Sequence, residues 1–256
     1  MSFFIRAASL DASKLREQSG LAAAHWKALP CIVGSSSHAI GQVENDAAPR
    51  IPPALEFAHA LARSFGVAGP VLLTSSACTS GLTAVQLALD LLEVGAFAQA
   101  LVLGAELPNR LTAAGFRSLG LDLKLGSAVG ALVVSREGPW RIAALAWRTD
   151  PGNLTAVGAQ AIQAAMEEAL SRAGWRAADV DLVKLQAEND PAEQHALNQI
   201  FSSIPRSVSF RSSIGHTLGA SGPVELVLAT RRPERRILFN LSGFGGQVGS
   251  MALERA

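Results

Sequence analysis

A layered α/β fold, with helices held between sheets, is what this sequence predicts, and three observations carry the prediction. Segments that read as strands alternate with segments of helical period along the chain. Two of the helices, over 81–92 and 223–230, have almost no polar face, so they belong inside the protein. The two halves also repeat one plan: a strand, a turn of small residues bearing one reactive side chain, then one of these buried helices.

Residues 3–7 and 31–34 read as short strands, and a small-residue and polar loop covers 35–51. From Pro53 the apolar Leu55, Phe57, Ala58, Leu61, Ala62 and Phe65 recur at helical spacing, giving an amphipathic surface helix that Gly66 closes. A short apolar run over 71–74, between Gly69-Pro70 and a cluster of small residues, suits a buried strand, and the buried helix 81–92 follows. Next come a strand over 98–103, a loop holding Gly104, Pro108 and Gly115, and strand-like runs over 129–135 and 141–147. Asp150-Pro151-Gly152-Asn153 marks a turn and a boundary between an N-terminal half, 1–150, and a C-terminal half, 151–256. The second half opens with Ala156, Val157, Ala161, Ile162, Ala165, Met166, Ala169 and Leu170 along one face of a long helix ending near Gly174. A strand over 180–185, a helix over 192–201 and a strand over 207–210 lead to the second buried helix. The last elements are a strand over 236–241, a glycine-rich turn over 243–249 and a strand over 250–253.

With 256 residues, 49% of them hydrophobic, the chain can bury a large core, and its 22 Lys and Arg against 21 Asp and Glu leave no bulk field that would draw nucleic acid or an anionic membrane. No apolar run approaches the ~20 residues that span a bilayer, and the opening MSFFIRAASL is too short in apolar residues for a signal peptide. A cytoplasmic location is the expectation. Cys31 and Cys78, in unrelated contexts and in no CxxC pair, suit a reducing compartment and no structural zinc. Gly243-Phe244-Gly245-Gly246 lacks the GxGxxG spacing and no helix follows it, so no nucleotide or other cofactor is expected.

Cys78 falls between a strand and the start of a buried helix, where free backbone N–H groups and the helix dipole favour a thiolate. That is a nucleophile's position, although a small residue packed in a tight turn occupies the same place. His216, between Gly215 and Gly219, is the best candidate for its partner, able to exchange a proton near neutral pH, and a hydrogen-bonded turn histidine reads the same way. His25, His38, His59 and His195 lack such surroundings and read as structural or solvent-facing. The backbone N–H groups around Phe244 are candidates for an oxyanion hole, with simple packing of its ring as the alternative.

These segments together resemble the β-ketoacyl-acyl carrier protein synthases of the thiolase-like superfamily. Ser76-Ala77-Cys78-Thr79-Ser80-Gly81 looks like the family's nucleophile motif, with the similarity continuing through Gly104-Ala105-Glu106. Gly215-His216-Thr217-Leu218-Gly219-Ala220-Ser221-Gly222 is similar to its second-histidine motif, and 240–246 to its C-terminal glycine-rich turn. All lie in family order from residue 70 on, and before residue 70 no match is visible. The resemblance implies a five-layered αβαβα sandwich of two related halves. It makes Cys78 the residue that accepts an acyl group from an acyl carrier protein, His216 a catalytic histidine, and the amides of Cys78 and Phe244 the oxyanion hole.

The departures shape the functional expectation. The family's first catalytic histidine, in a His-Gly-Thr motif, is absent: the chain reads Gln186-Ala187-Glu188-Asn189-Asp190, with several residues apparently deleted. The family's catalytic lysine corresponds to Arg211, which is always charged and not proton-tunable. The GDGAG-like turn reads Gly126-Ser127-Ala128-Val129-Gly130, and the region around it is reduced. Loss of one preorganised catalytic donor typically costs ~10²–10³ in rate. The expected function is therefore a chain-length-factor-type subunit that pairs as a heterodimer with a full-length, active ketosynthase. The alternative is an acyltransferase or condensing enzyme using Cys78 and His216 on acyl carrier protein thioesters, and a non-enzymatic scaffold trails both.

Overall fold

The structure is a computed structural model, and it describes residues 2–44, 53–107, 109–121 and 123–256. Ten strands form one mixed sheet in the order β3-β2-β4-β5-β1-β6-β10-β9-β7-β8. The first five are β1 (Phe3–Ser9), β2 (Cys31–Gly34), β3 (Val71–Thr74), β4 (Gln99–Glu106) and β5 (Ala128–Ser135). The second five are β6 (Trp140–Thr149), β7 (Leu182–Lys184), β8 (Arg206–Val208), β9 (Arg236–Ser242) and β10 (Gln247–Arg255). Counting β6 as the counterpart of β1, the two sets of five have the same order and the same parallel and antiparallel pairings, so the repeated plan of the sequence is a repeated topology. The Asp150 turn follows β6, a strand that already pairs with β10 in the second set. The sets meet where Phe3, Phe4 and Ile5 pair with Ile142, Arg141 and Trp140, so one short antiparallel run at a corner joins the two sheets.

Three apolar clusters define the layers. Alternate residues of β2, β4 and β5 (Cys31, Val33, Leu101, Leu103, Val133) face α1 (Ala12–Ser19), α2 (Ala23–Ala28) and α3 (Ala54–Ser64). The opposite faces of both strand sets, including Ile32, Val102, Leu132, Phe239 and Met251, close over the helices α4 (Ser80–Glu93) and α9 (Ser221–Thr230). Beyond the second set, Val183, Leu238 and Val248 pack against α6 (Ala159–Ala173) and α7 (Pro191–Ile200). The result is five layers, αβαβα, with the two mostly apolar helices in the middle as their sequence requires.

Several expectations are corrected. β3 was expected to be buried, but it is the outermost strand of its set and Leu72 is 37% exposed, because its apolar run has a neighbour only on the β2 side. The expected loop after the fourth strand holds a helix, α5 (Arg110–Ser118), which contains Gly115 and is capped by Asn109 accepting from the Thr112 N–H; Gly104 itself lies within β4. The glycine-rich turn is shorter than expected, since β10 already begins at Gln247 and takes in Gly249. The helices α1 and α2 were not foreseen. Residues 45–51 of the expected 35–51 loop, and Pro108, lie outside the described residues.

The middle layer brings the two halves' turns together. The starts of α4 and α9 cross so closely that a Cβ on Gly81 would lie 2.2 Å from Pro223 Cδ, and one on Gly222 would lie 2.5 Å from the Leu82 backbone nitrogen. Gly222→Ala is expected to destabilise the protein by at least ~1–3 kcal/mol, since the obstructing atom is backbone and cannot step aside. A denaturant midpoint unchanged from wild type would show that the helices separate freely.

Candidate active site

The turn between β3 and α4 is fixed by hydroxyls. Ser76 N–H donates to Ser80 Oγ at 2.9 Å, Ser80 Oγ–H donates to the Ala77 carbonyl at 2.6 Å, and Thr79 Oγ1–H donates to the Ser76 carbonyl at 2.6 Å. Ala77 is held at φ +50°, a left-handed conformation that a Cβ residue adopts only under local constraint. The effect is to place Cys78, 5% exposed, one residue before the N-cap of α4.

The second turn comes from the other half. His216 N–H donates to the Lys124 carbonyl at 2.7 Å and its own carbonyl accepts from Gly126 N–H at 3.0 Å, so the segment before α9 is tied to the residues before β5. His216 Nε2 then lies 3.1 Å from Cys78 Sγ, and Nδ1 lies 3.4 Å from Ser221 Oγ, the first residue of α9. Arg211, on the one-turn helix α8 (Arg211–Ile214), has Nη2 at 3.2 Å from the same Nε2. An arginine only donates, so Nε2 carries the lone pair and Nδ1 carries the hydrogen, given to Ser221. In this tautomer Nε2 is positioned to accept the Cys78 proton.

Electrostatics set the resting protonation states. Burial, then the nearby charges of Arg211 and Lys184, hold the His216 pKa well below its ordinary 6.5. Burial raises the Cys78 thiol, while Arg211 and the backbone N–H groups of Phe244 and Cys78 work against that rise. The pair therefore rests as thiol and neutral imidazole. Cys31, lacking any such neighbour, is pushed up to about 12 by burial alone.

A stability prediction follows from His216. Between pH 6.5 and its lowered folded value, the unfolded chain binds a proton that the folded chain refuses. Stability therefore falls as pH drops through that window, whereas above 6.5 both states are neutral and the contribution is flat. Denaturation midpoints measured across the window should fall less steeply for His216→Gln than for wild type, and identical slopes would refute the buried neutral imidazole.

Cys78, His216, Arg211, Gln186 and Phe244 line one cavity of about 490 Å³, closed by Leu121, Leu123, the 155–157 segment, Pro191 and Ala192. The three residues marked in the sequence are thus brought together, and the backbone N–H groups of Phe244 and Cys78 face the sulfur. The Phe244 ring meets Phe116 of α5 edge-on at 5.6 Å. Gln186, where the sequence lacks the first histidine, gives its Nε2–H to the Ser242 carbonyl at 2.6 Å and leaves Oε1 buried without a donor. His25, His59 and His195 are exposed and away from the cavity, and half-buried His38 is also outside it.

Sequence reasoning missed a buried polar network behind the cavity. Lys184, fully buried, pairs with fully buried Glu225 of α9 and donates to the Asn240 carbonyl at 2.9 Å. Burial pulls its pKa below that of an ordinary lysine, against the attraction of Glu225. Glu193 accepts from the Gln186 and Ala187 N–H groups at 2.9 and 3.0 Å and from Asn240 Nδ2 at 2.6 Å, so it shapes the cavity wall. Glu106 accepts from the hydroxyls of Ser35, Ser36 and Ser37, tying β4 to the segment after β2.

Comparison with known proteins places these features. The model of the β-ketoacyl synthase N-terminal domain matches residues 1–130, and that of the C-terminal domain matches 141–240. The first match corrects the expectation that residues before 70 carry no resemblance. Erythronolide synthase EryA3 of Saccharopolyspora erythraea is 32% identical over 216 residues, 68% of this chain and 7% of that protein. β-Ketoacyl-acyl carrier protein synthase III 3 of Streptomyces coelicolor is 32% identical over 168 residues, 61% of this chain and 49% of that protein. The chain thus spans less than half the length of these relatives. Among solved structures, a β-ketoacyl synthase from Burkholderia phymatum superimposes with a TM-score of 0.81 at 20% identity, covering 96% of this chain and 80% of that one. A Xenorhabdus doucetiae ketosynthase, ApeO, solved in complex with its chain length factor ApeC, gives 0.80 at 23% identity, covering 95% and 79%.

Proposed function

The chain belongs to the β-ketoacyl synthase family, and on that premise we propose that it is a ketosynthase-fold acyltransferase, taking an acyl group from an acyl carrier protein thioester onto Cys78. The observation that carries this reading is the 3.1 Å contact of Cys78 Sγ with the lone-pair nitrogen of His216, made inside an open cavity. A cysteine kept only for packing needs neither a base nor a cavity. In the reaction His216 Nε2 takes the thiol proton, Sγ attacks the thioester carbonyl carbon, and the N–H groups of Cys78 and Phe244 hold the oxyanion. The carrier thiolate then leaves with the proton from His216. Decarboxylative condensation is not part of the proposal, because Gln186 can donate a hydrogen bond but cannot shuttle a proton. The reading assigns the nucleophile to the half through residue 150 and the base to 151–256. The buried free thiols fit a reducing, cytoplasmic setting.

A second reading is favoured by Gln186 itself. On this reading the chain is a chain-length-factor-type subunit that shapes the pocket of a full-length ketosynthase in a heterodimer; among the similar solved structures are a ketosynthase/chain length factor and a ketosynthase in complex with its chain length factor. Intact-protein mass spectrometry after incubation with an acyl carrier protein thioester, with and without a candidate ketosynthase, separates the two. An adduct on the chain alone that disappears in Cys78→Ala supports acyl transfer. Acylation of the partner only, with none on this chain, sinks that reading and leaves the accessory role.

A further inference from the structure

Arg211 places a permanent positive charge in the cavity, and among the described residues it forms no ion pair. Its Nη2 is used on His216, and its Nε–H is buried with no acceptor. A buried donor on a cation is costly to leave unmatched, more so than a neutral one. Asp190, the other charged group on the cavity wall, is engaged by the Ala192 and Glu193 N–H groups at 2.8 and 3.2 Å. Cys78 rests as a neutral thiol, so the reacting pair supplies no anion to Arg211, and an acyl group that carries its own anion does.

From this geometry, and resting on the acyl-transfer reading above, we infer that the cavity is built for carboxyacyl groups, the monothioesters of short dicarboxylic acids, with the free carboxylate held by the Arg211 guanidinium. A carboxylate a few bonds from Sγ reaches a guanidinium that already touches the catalytic nitrogen, and the cavity of about 490 Å³ suits a short acyl group together with the end of its thioester arm. During transfer one C–S bond forms at Cys78 and one breaks at the carrier. The proton passes from Sγ through His216 to the leaving thiolate, and nothing is oxidised or reduced. The carboxylate survives: an ion pair that stabilises it in the ground state raises the barrier to losing it as carbon dioxide. Arg211 is then a specificity device that keeps the acid on the acyl group.

The test uses the full chain and three small thioesters of N-acetylcysteamine: succinyl and butyryl, matched in length and differing by one carboxylate, and malonyl. Acylation of Cys78 is followed by intact mass over time. Succinyl is expected to transfer at least about tenfold faster than butyryl, the factor that one charge-assisted hydrogen bond supplies. The malonyl adduct is expected to keep its full mass. In Arg211→Met the ratio of the succinyl to the butyryl rate is expected to collapse toward one. Because it is a ratio within one protein sample, it is insensitive to any change in His216 reactivity. Equal succinyl and butyryl rates in the wild type, or an adduct that has lost carbon dioxide, overturn the carboxyacyl inference while acyl transfer stands. No adduct from any of the three overturns both. The wild-type ratio needs no variant, so the result does not depend on Arg211→Met folding.

Discussion

Replacing His216 with alanine slows acylation of Cys78 by roughly 10²–10⁴-fold, the range that a positioned general base supplies. The size of the effect follows from the resting state of the pair. Burial raises the Cys78 thiol and keeps His216 neutral, so the sulfur is not a standing thiolate and its proton must leave during attack. In the wild type that proton goes to Nε2 at 3.1 Å, and in the variant it has no acceptor at that distance. The rate is read by quenching the reaction at intervals and weighing the intact protein at saturating thioester. An adduct that accumulates at the wild-type rate would mean that Arg211 and the helix terminus alone make the nucleophile.

The second large effect concerns stability and lies behind the cavity. Lys184→Met strands the Glu225 carboxylate in the middle layer, where both partners are fully buried, and is expected to cost ~3–5 kcal/mol. For a chain of this size that corresponds to a fall in Tm of roughly 6–20 °C. The double variant Lys184→Met with Glu225→Leu removes both charges and is expected to recover most of the loss, since a buried pair rarely outperforms apolar residues of similar volume. Thermal unfolding of the single and double variants decides the matter. If the double variant is no better than the single, the pair is not an isolated coupling, and the Asn240 carbonyl contact and the Phe239 ring under Lys184 Nζ carry more of the burden.

Much of this arrangement was legible in the sequence because its signals are local. The apolar run of α4 and that of α9 announced the middle layer, and small residues around Cys78 and His216 announced turns that leave a side chain accessible. The network of Lys184, Glu193, Glu225 and Asn240 gave no such signal. Lys184 sits in an apolar strand run and Glu225 in an apolar helix, where each looks like a single interruption of pattern, and only tertiary contact reveals that the interruptions meet. Helix α5 was missed because Gly115 in its middle reads as a loop residue and none of its residues is buried. The strand β3 failed in the opposite sense: its composition is that of a buried strand, but burial depends on neighbours, and among the described residues β2 is its only strand neighbour. Gln186 was legible as a missing histidine, whereas its buried, unmatched oxygen was not.

Cys78 and His216 are 138 positions apart and meet only where α4 crosses α9. The proposed thioester chemistry is therefore a late event in the maturation of each new chain. Either strand set can gather its own hydrogen bonds early, but the reactive pair exists only once the two inner helices have closed on each other, the kind of non-local step that folds slowly. During refolding from denaturant, helical signal should return before Cys78 regains its competence for acylation. On the proposed acyl-transfer reading, a nascent chain still missing its second half lacks the base that Cys78 needs.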